Sequence, residues 1–234
     1  DDVWCQDQTP EDTYLAQDSI IRIYGDITGF NCNENSDKLT RLDVSHNPAL
    51  EELFCSFNEL SSLNVSNNPA LTELFCTLDQ LTSLDIRSCT ALRTLVCDGN
   101  QLTALDISNN TALKELSCHT NSLTSLDIRN NTALMLLMCF DNPFTTQALD
   151  DIYCSLPERE QDDDAAIFPI LMPYSSNSSI VKKTNSKNAI VKNWEVLYAE
   201  DYTVVATTGT HDCSTAIPAT VTTLDATVVT HNSA

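Results

Sequence analysis

The sequence is short of glycine, basic residues and long apolar runs, and each shortage excludes a class of function. Its 234 residues include only four glycines, so no glycine-rich loop is available to cradle a phosphate. Twelve Lys and Arg against 33 Asp and Glu give a formal net charge of -21, which disfavours nucleic acid and anionic lipid as partners. No apolar run is long enough to span a membrane, so we expect no membrane insertion.

Catalytic motifs are also missing. The sequence has four histidines and no H-E-x-x-H, G-x-S-x-G, Walker or dinucleotide-binding pattern. Its ten cysteines form no C-x-x-C pair, which excludes zinc ribbons and thioredoxin-type redox sites. We therefore predict that the chain is not an enzyme and needs no cofactor, and we assign no catalytic residue and no metal ligand.

The cysteines instead reveal an internal repeat. Five of them are spaced 21 residues apart, and Cys32 continues the series upstream after a gap of 23 residues. A spacing this regular indicates stacked structural units rather than a disulfide framework. The five regularly spaced cysteines are Cys55, Cys76, Cys97, Cys118 and Cys139.

Leucine columns and two polar columns accompany the cysteines. A Leu stands two residues before each of the five cysteines, and an Asn or Asp stands three residues after it. The second half of the unit carries Leu, then Val or Ile, then a second polar column. This is the L-x-x-L-x-L-x-x-N/C-x-L pattern of leucine-rich repeats, with Cys in the third leucine position. The polar columns are Asn35, Asn58, Asp79, Asn100, Asn121 and Asn142, and Asn47, Asn68, Cys89, Asn110 and Asn131.

The repeat predicts an α/β-class leucine-rich-repeat solenoid, a right-handed superhelix with a parallel β-sheet on its concave face, little helix and a cap at each end. In each unit the L-x-C segment forms a short strand whose alternate side chains enter a shared core, because one unit cannot bury its own apolar side. The Asn columns then bond backbone groups in the turns. Cysteines on neighbouring parallel strands point the same way, so we expect buried, reduced thiols, including Cys89.

Four segments are predicted: an N-terminal cap over residues 1–26, the solenoid over 27–145, C-terminal capping repeats with helices over 146–202, and a Thr-rich tail or linker over 203–234. Within the C-terminal cap we expect a helix over 146–156, ended by Pro157, and a second helix over 179–194. Strands are expected over 167–172 and 195–202. The spacing leaves the pairing of Cys5, Cys154 and Cys213 open.

The units over 81–92 and 102–113, LTSLDIRSCTAL and LTALDISNNTAL, are each followed by L-x-C-x-x-N or a close variant. They resemble bacterial surface leucine-rich-repeat proteins of the internalin J type, and more closely those of Bacteroidetes. The lead-in IYGDITGFNC and the closing ALDDIYCSLP and AIVKNW are also similar to the caps of that group, so the resemblance covers roughly residues 20–202. Asp79 and Cys89 depart from the group's asparagine pattern, which affects the local turns.

The resemblance implies an exported protein whose repeats bind or adhere to another molecule. We therefore expect an extracellular or cell-surface location, and we interpret the chain, which begins at Asp1, as lacking its targeting segment. The ligands of the group vary, so the resemblance names no partner.

The outward positions of the predicted sheet carry an apolar stripe. We predict that this stripe, on the concave face, binds a protein or peptide ligand, such as one on a host surface or matrix, because contiguous aromatic and Met side chains are unusual on a soluble surface. Glu52, Glu73 and Glu115 flank it. Two other interpretations stay open: a cap or the tail covers the stripe, or apolar residues are simply favoured in strands. The predicted ligand-binding residues are Phe54, Phe75, Val96, Met138, Phe57, His119 and Phe140.

Two alternative functions stay open at this point. A structural spacer that projects a neighbouring module is favoured if residues 203–234 form a linker. A glycan or Ca²⁺ binder is favoured if the acidic loop over 158–164 or a column of aspartates orders a cation, although such aspartates also bond backbone amides in tight turns. His119 is expected near Asp98, in a His–Asp pair with no ordered nucleophile. The aspartate column comprises Asp43, Asn64, Asp85, Asp106 and Asp127.

Overall fold

The computed structural model describes residues 2–4, 20–34, 39–171, 178–200, 203–205 and 207–213. Short strands dominate this part of the chain, and the three helices lie after the repeats. In chain order the elements are β1 (Asp2–Trp4), β2 (Ile20–Tyr24), β3 (Gly29–Asn31), β4 (Arg41–His46), β5 (Glu52–Phe54), β6 (Ser62–Asn64), β7 (Glu73–Phe75), β8 (Thr94–Val96), β9 (Glu115–Ser117), β10 (Leu136–Met138), α1 (Thr146–Ser155), β11 (Ala166–Ile170), α2 (Ser178–Val181), α3 (Lys187–Ile190) and β12 (Glu195–Tyr198).

The strands form two parallel sheets. The larger sheet has eight strands in the order β3-β5-β7-β8-β9-β10-β11-β12, and the smaller has four in the order β1-β2-β4-β6. Each 21-residue unit, which we call a coil, contributes one strand to the larger sheet in the same register, so Leu53 stands opposite Leu74 and Leu74 opposite Leu95. The chain is therefore a parallel β-solenoid with little helix, as the repeat predicted.

The core is continuous along the stacked coils. The Leu residues before each cysteine and the cysteines themselves are fully or almost fully buried, and one apolar cluster extends from Ile21 in β2 to Val205 after β12. The strand ahead of the five regular coils already follows the repeat, because Phe30 of β3 pairs with Leu53 and packs against this cluster. Stacking is required because each coil is too small to fold alone and must share one core with its neighbours.

In the C-terminal cap, β11 and β12 each add one strand to the larger sheet. Helix α1 begins after Thr145, whose side chain accepts a hydrogen bond from the backbone N–H of Ala148, and buries Ile152 and Tyr153. The expected single helix over 179–194 is wrong, because the chain forms the separate short helices α2 and α3. Between them the backbone N–H of Asn185 donates to the carboxylate of Asp150 at 2.7 Å, so it is not available to continue α2. No helix in the described segments is long and apolar enough to cross a membrane.

A strap, described at residues 203–205 and 207–213, closes the cap. Val204 forms an antiparallel bridge with Leu197, and the backbone N–H of Gly209 donates to the carbonyl of Thr184 at 2.9 Å. A disulfide joins Cys154 in α1 to Cys213, at a sequence separation of 59 residues. The chain thus stays on the cap beyond residue 202, where the sequence placed the start of a tail or linker. Cys5 and residues 214–234 lie outside the described residues.

Candidate binding face

The first asparagine column ties each coil to the previous one. The Nδ2 of Asn100 donates to the carbonyls of Cys76 at 2.7 Å and Cys97 at 3.1 Å, while its Oδ1 accepts the backbone N–H of Leu81 at 3.0 Å. Each amide satisfies buried backbone groups that water cannot reach, so the column is structural. The same set of bonds is made by Asn58, Asn121 and Asn142.

The second polar column explains why one of its positions can hold Cys89. In Asn68 and Asn110 the Nδ2 donates to two backbone carbonyls, but the buried Oδ1 has no hydrogen-bond partner. The position therefore requires a donor and not an acceptor. The Sγ of Cys89 supplies a weak donor to the carbonyl of Val65 at 3.5 Å.

The cysteines of the repeat form a column of free thiols of low reactivity. No disulfide links its members, and the five regularly spaced cysteines are fully buried. Burial raises the pKa of Cys139 to about 12 and that of Cys55 well above its ordinary value. Since the thiolate is the reactive form, these side chains fill the core as small apolar groups.

The outward surface of the eight-stranded sheet, the sheet face, carries the predicted apolar residues in register. Phe54 pairs with Phe75 and Phe75 with Val96, and all three are partly exposed. The two Phe rings stack, with centroids 5.0 Å apart and an interplanar angle of 25°. The stacked rings form a continuous apolar surface across the two strands.

The stripe is interrupted after Val96. Ser117 occupies the next position, between Val96 and Met138. Met138 pairs with Phe168 of β11 and packs against a second apolar cluster that includes Phe140, Phe168 and Leu197.

The expectation that Phe140 is exposed is wrong, because its side chain is buried in this cluster, with 7% exposure. The repeat does not indicate the covering residue, because Phe168 follows the ten-residue helix α1 and so lies off the 21-residue spacing. Met138 and Phe140 thus belong to the junction between the last coil and the cap rather than to one stripe with Phe54 and Phe75.

His119 lies at the edge of this junction. Its ring stacks on Phe140 with centroids 4.0 Å apart, and its Nε2 is 3.5 Å from a carboxylate oxygen of Asp98. Burial lowers the pKa of His119, while the carboxylates of Asp98 and Asp141 oppose that shift. The Oγ of Ser117 donates to Asp98 at 2.7 Å. Because the hydroxyl bonds to the carboxylate and not to the imidazole, the histidine does not activate it as a nucleophile.

Two residues after each cysteine of the ladder, the backbone turns left-handed. Most L-amino acids lose roughly 1–2 kcal/mol in this region, and glycine does not. Only one of the positions holds glycine, namely Gly99 with φ 68°. The others, with φ between 51° and 61°, are Glu34, Phe57, Leu78, Thr120 and Asp141.

Phe57 and Leu78 are the unexpected members of this left-handed column. Both side chains are large and apolar, yet they are 43% and 50% exposed. About half of each side chain is buried, so burial compensates the backbone penalty while a large apolar area stays in contact with solvent. Backbone strain is also typical of functional surfaces. The sequence prediction included Phe57 but missed Leu78, although Gly99 in the equivalent position of the next coil marks the turn as left-handed.

The aspartate column serves the turns. In every coil the side-chain oxygen accepts the backbone N–H two residues later, as in Asp106 with Ser108 at 3.0 Å. Asp85 and Asp127 also pair with Arg87 and Arg129, whose hydrogen bonds lower the pKa of each carboxylate. Across the described segments no three His, Cys, Asp or Glu side chains come close enough together to hold a metal ion.

The parallel coils, the leucine core and the cysteine and asparagine ladders define the chain as a leucine-rich-repeat solenoid, a class of fold that is typically non-catalytic. No family model matches the sequence, and no curated protein matches it.

Three solved structures share low similarity with the chain. The functional domain of InlJ from Listeria monocytogenes, described as including a cysteine ladder, is 24% identical, with a TM-score of 0.43 over 75% of this chain and 52% of that one. Internalin C2 from Listeria monocytogenes is 20% identical, with a TM-score of 0.38 over 53% and 60%. A leucine-rich-repeat protein of Leptospira interrogans is 16% identical, with a TM-score of 0.41 over 76% and 59%. The chain thus spans 52–60% of the length of these proteins, and no function is carried over from them.

Proposed function

We propose that the chain is an exported, non-catalytic protein-binding module that adheres to its partner through the N-terminal half of the sheet face. The observation that carries the proposal is the stacked pair of Phe54 and Phe75, which stays partly exposed beside Val96 in a chain of net charge -21. An aromatic surface that excludes water is the usual centre of a protein interface. Glu52 lies two residues before Phe54, and Glu73 two before Phe75, so a charged rim accompanies the apolar centre.

The remaining features fit this function better than the alternatives. The disulfide between Cys154 and Cys213 suits an oxidising compartment outside the cytoplasm. The strap is bound to the cap, which gives no support to a linker that begins at residue 203. The aspartate column is engaged in turns and arginine pairs, which gives no support to a cation-dependent glycan binder.

The test is differential capture. Biotinylated native chain and the variant Phe54→Ser/Phe75→Ser are incubated with extracellular-matrix and mucosal protein extracts, and the bound proteins are identified by mass spectrometry. The matched control is Ile190→Ser/Val191→Ser, which removes two exposed apolar side chains from the C-terminal cap. A partner held by the native chain and the control but lost from the Phe variant supports the proposal. A partner retained by the Phe variant, with folding verified by circular dichroism, contradicts it.

A further inference from the structure

The left-handed column extends the apolar surface beyond the strands. On the first regular coil, Phe54 faces outward, Cys55 faces the core, Ser56 is buried and Phe57 is exposed again. Leu78 occupies the same position on the next coil as Phe57. On each of two consecutive coils, two partly exposed apolar side chains thus lie three residues apart, and we call these four residues the apolar patch: Phe54, Phe57, Phe75 and Leu78.

The apolar patch includes two large side chains, Phe57 and Leu78, at positions where the turn itself does not require them. A left-handed turn is served better by Gly, Asn or Asp, and Phe57 and Leu78 leave about half of their apolar surface exposed. The coils further along carry Gly99, Thr120 and Asp141 at this position, so the same turn forms without a large apolar residue. Strained, exposed and apolar side chains therefore indicate a contact with another molecule.

The two coils that carry the apolar patch hold charge of a single sign. Residues 47–86, which span both coils, contain no Lys, Arg or His. The same segment contains exposed carboxylates on both sides of the patch, with Glu52 on the strand and Glu59 after the turn, and Glu34 occupies the left-handed position of the preceding coil. Such a surface attracts a basic partner and repels an acidic one.

Resting on the proposed function, we propose that the apolar patch binds a polypeptide segment in which a bulky apolar side chain stands next to Lys or Arg. The apolar side chain packs on the patch between Phe57 and Leu78. The neighbouring cation then lies against the Phe rings and the glutamate rim, so that it gains both a cation–π contact and an ion pair.

The experiment is a selection from random linear peptides displayed on phage, with the biotinylated full chain as the target. We expect the selected peptides to be enriched in an aromatic or large aliphatic residue adjacent to Lys or Arg. A synthetic peptide of the commonest selected sequence is then titrated into each variant by fluorescence anisotropy.

Two pairs of variants separate the two parts of the contact. Phe57→Asn/Leu78→Asn, which places a residue suited to left-handed turns at both positions, weakens binding by more than about tenfold. Glu52→Gln/Glu73→Gln weakens it roughly threefold to tenfold and reduces its salt dependence. The matched controls, Ile190→Asn/Val191→Asn and Glu158→Gln/Glu160→Gln, make equivalent changes on the cap and leave binding unchanged.

The outcomes distinguish this inference from the proposed function. Selected peptides without Lys or Arg, bound equally by the Gln variant, overturn the basic partner while leaving the Phe54 and Phe75 interface in place. Selection of no peptide at all overturns the linear partner, and binding by a glycan array in its place identifies a different ligand class. Equal loss of binding in the Asn variant and in its cap control also contradicts the inference.

Discussion

The side chain of Leu78 lies directly over Gly99, so that a methyl group added to Gly99 would stand 2.4 Å from the Cδ2 of Leu78. The glycine also has a φ of 68°, in the left-handed region. One residue therefore meets two demands: it allows the turn of its own coil, and it leaves room for the exposed leucine of the coil before it.

Gly99→Ala is expected to destabilise the solenoid by roughly 1–2 kcal/mol, because alanine pays the left-handed penalty and its methyl group displaces Leu78. Leu78→Ala in the same chain removes the clash and recovers part of the loss. Urea denaturation of the native chain, both single variants and the double variant measures the coupling. An identical effect of Gly99→Ala with Leu or Ala at position 78 would show that the two side chains do not meet.

Asp79 is the weak member of the first polar column. Its Oδ1 accepts the backbone N–H groups of Asn58 at 3.1 Å and Leu60 at 3.2 Å. A carboxylate, however, has no N–H with which to make the two bonds to backbone carbonyls that the amide of Asn100 makes one coil further on. Asp79→Asn is therefore expected to raise the free energy of unfolding by about 1 kcal/mol.

The reverse substitution, Asn100→Asp, is the matched partner of that experiment. It removes the donor to the carbonyls of Cys76 and Cys97 and is expected to cost about 1–3 kcal/mol. Both values are read from chemical denaturation at neutral pH. A loss of stability in Asp79→Asn would mean that the carboxylate has a role that an amide cannot replace.

The strap is expected to depend on its disulfide. Replacement of Cys213 by Ala releases a loop closed over 59 residues and lowers the stability of the cap by about 2–4 kcal/mol. Amide hydrogen exchange should then accelerate at Thr208 and Gly209, which donate to the carbonyls of Lys182 and Thr184. Exchange in β7 and β8 serves as the internal control, since coils contact only their neighbours. Unchanged protection at Thr208 would show that hydrogen bonds alone hold the strap.

His119 predicts a pH dependence of stability. Burial lowers the pKa of His119 in the folded chain below its ordinary value of 6.5, so the unfolded chain binds the proton more readily. The free energy of unfolding is therefore expected to fall as the pH drops below 6.5, until the folded histidine is also protonated. The variant His119→Gln should be less sensitive over that range, measured by urea denaturation at a series of pH values. A histidine NMR titration midpoint above 6.5 for His119 would reverse the sign.

Much of the fold could be predicted because each position of the coil has one physical environment. Leu74 and Cys76 are inward residues of a short strand, and repetition of the same pair every 21 residues identifies the strand, its register and its buried side. The polar column could be predicted in the same way, because an Asn that recurs at every turn is placed to form hydrogen bonds with backbone groups.

The rest of the site depends on contacts that the spacing does not encode. Phe140 is buried in a cluster with Phe168, which comes after helix α1 in the sequence. No periodicity relates the two residues. Leu78 adopts a left-handed backbone conformation that leucine disfavours. A leucine at this position therefore does not predict the turn that the structure shows. The bond between Cys154 and Cys213 likewise joins segments with no common repeat.

The two ladders also separate what the chain displays from what keeps it folded. Asn100 and Cys97 make their contacts through the backbone and the core, so the side chains at the outward positions of the strand can differ from coil to coil while these contacts stay the same. Gain or loss of one whole coil would lengthen or shorten the displayed array and leave every remaining contact between neighbours as it was. Recombination of entire units would therefore change the set of outward side chains and keep the type of contact that folds each coil against its neighbour.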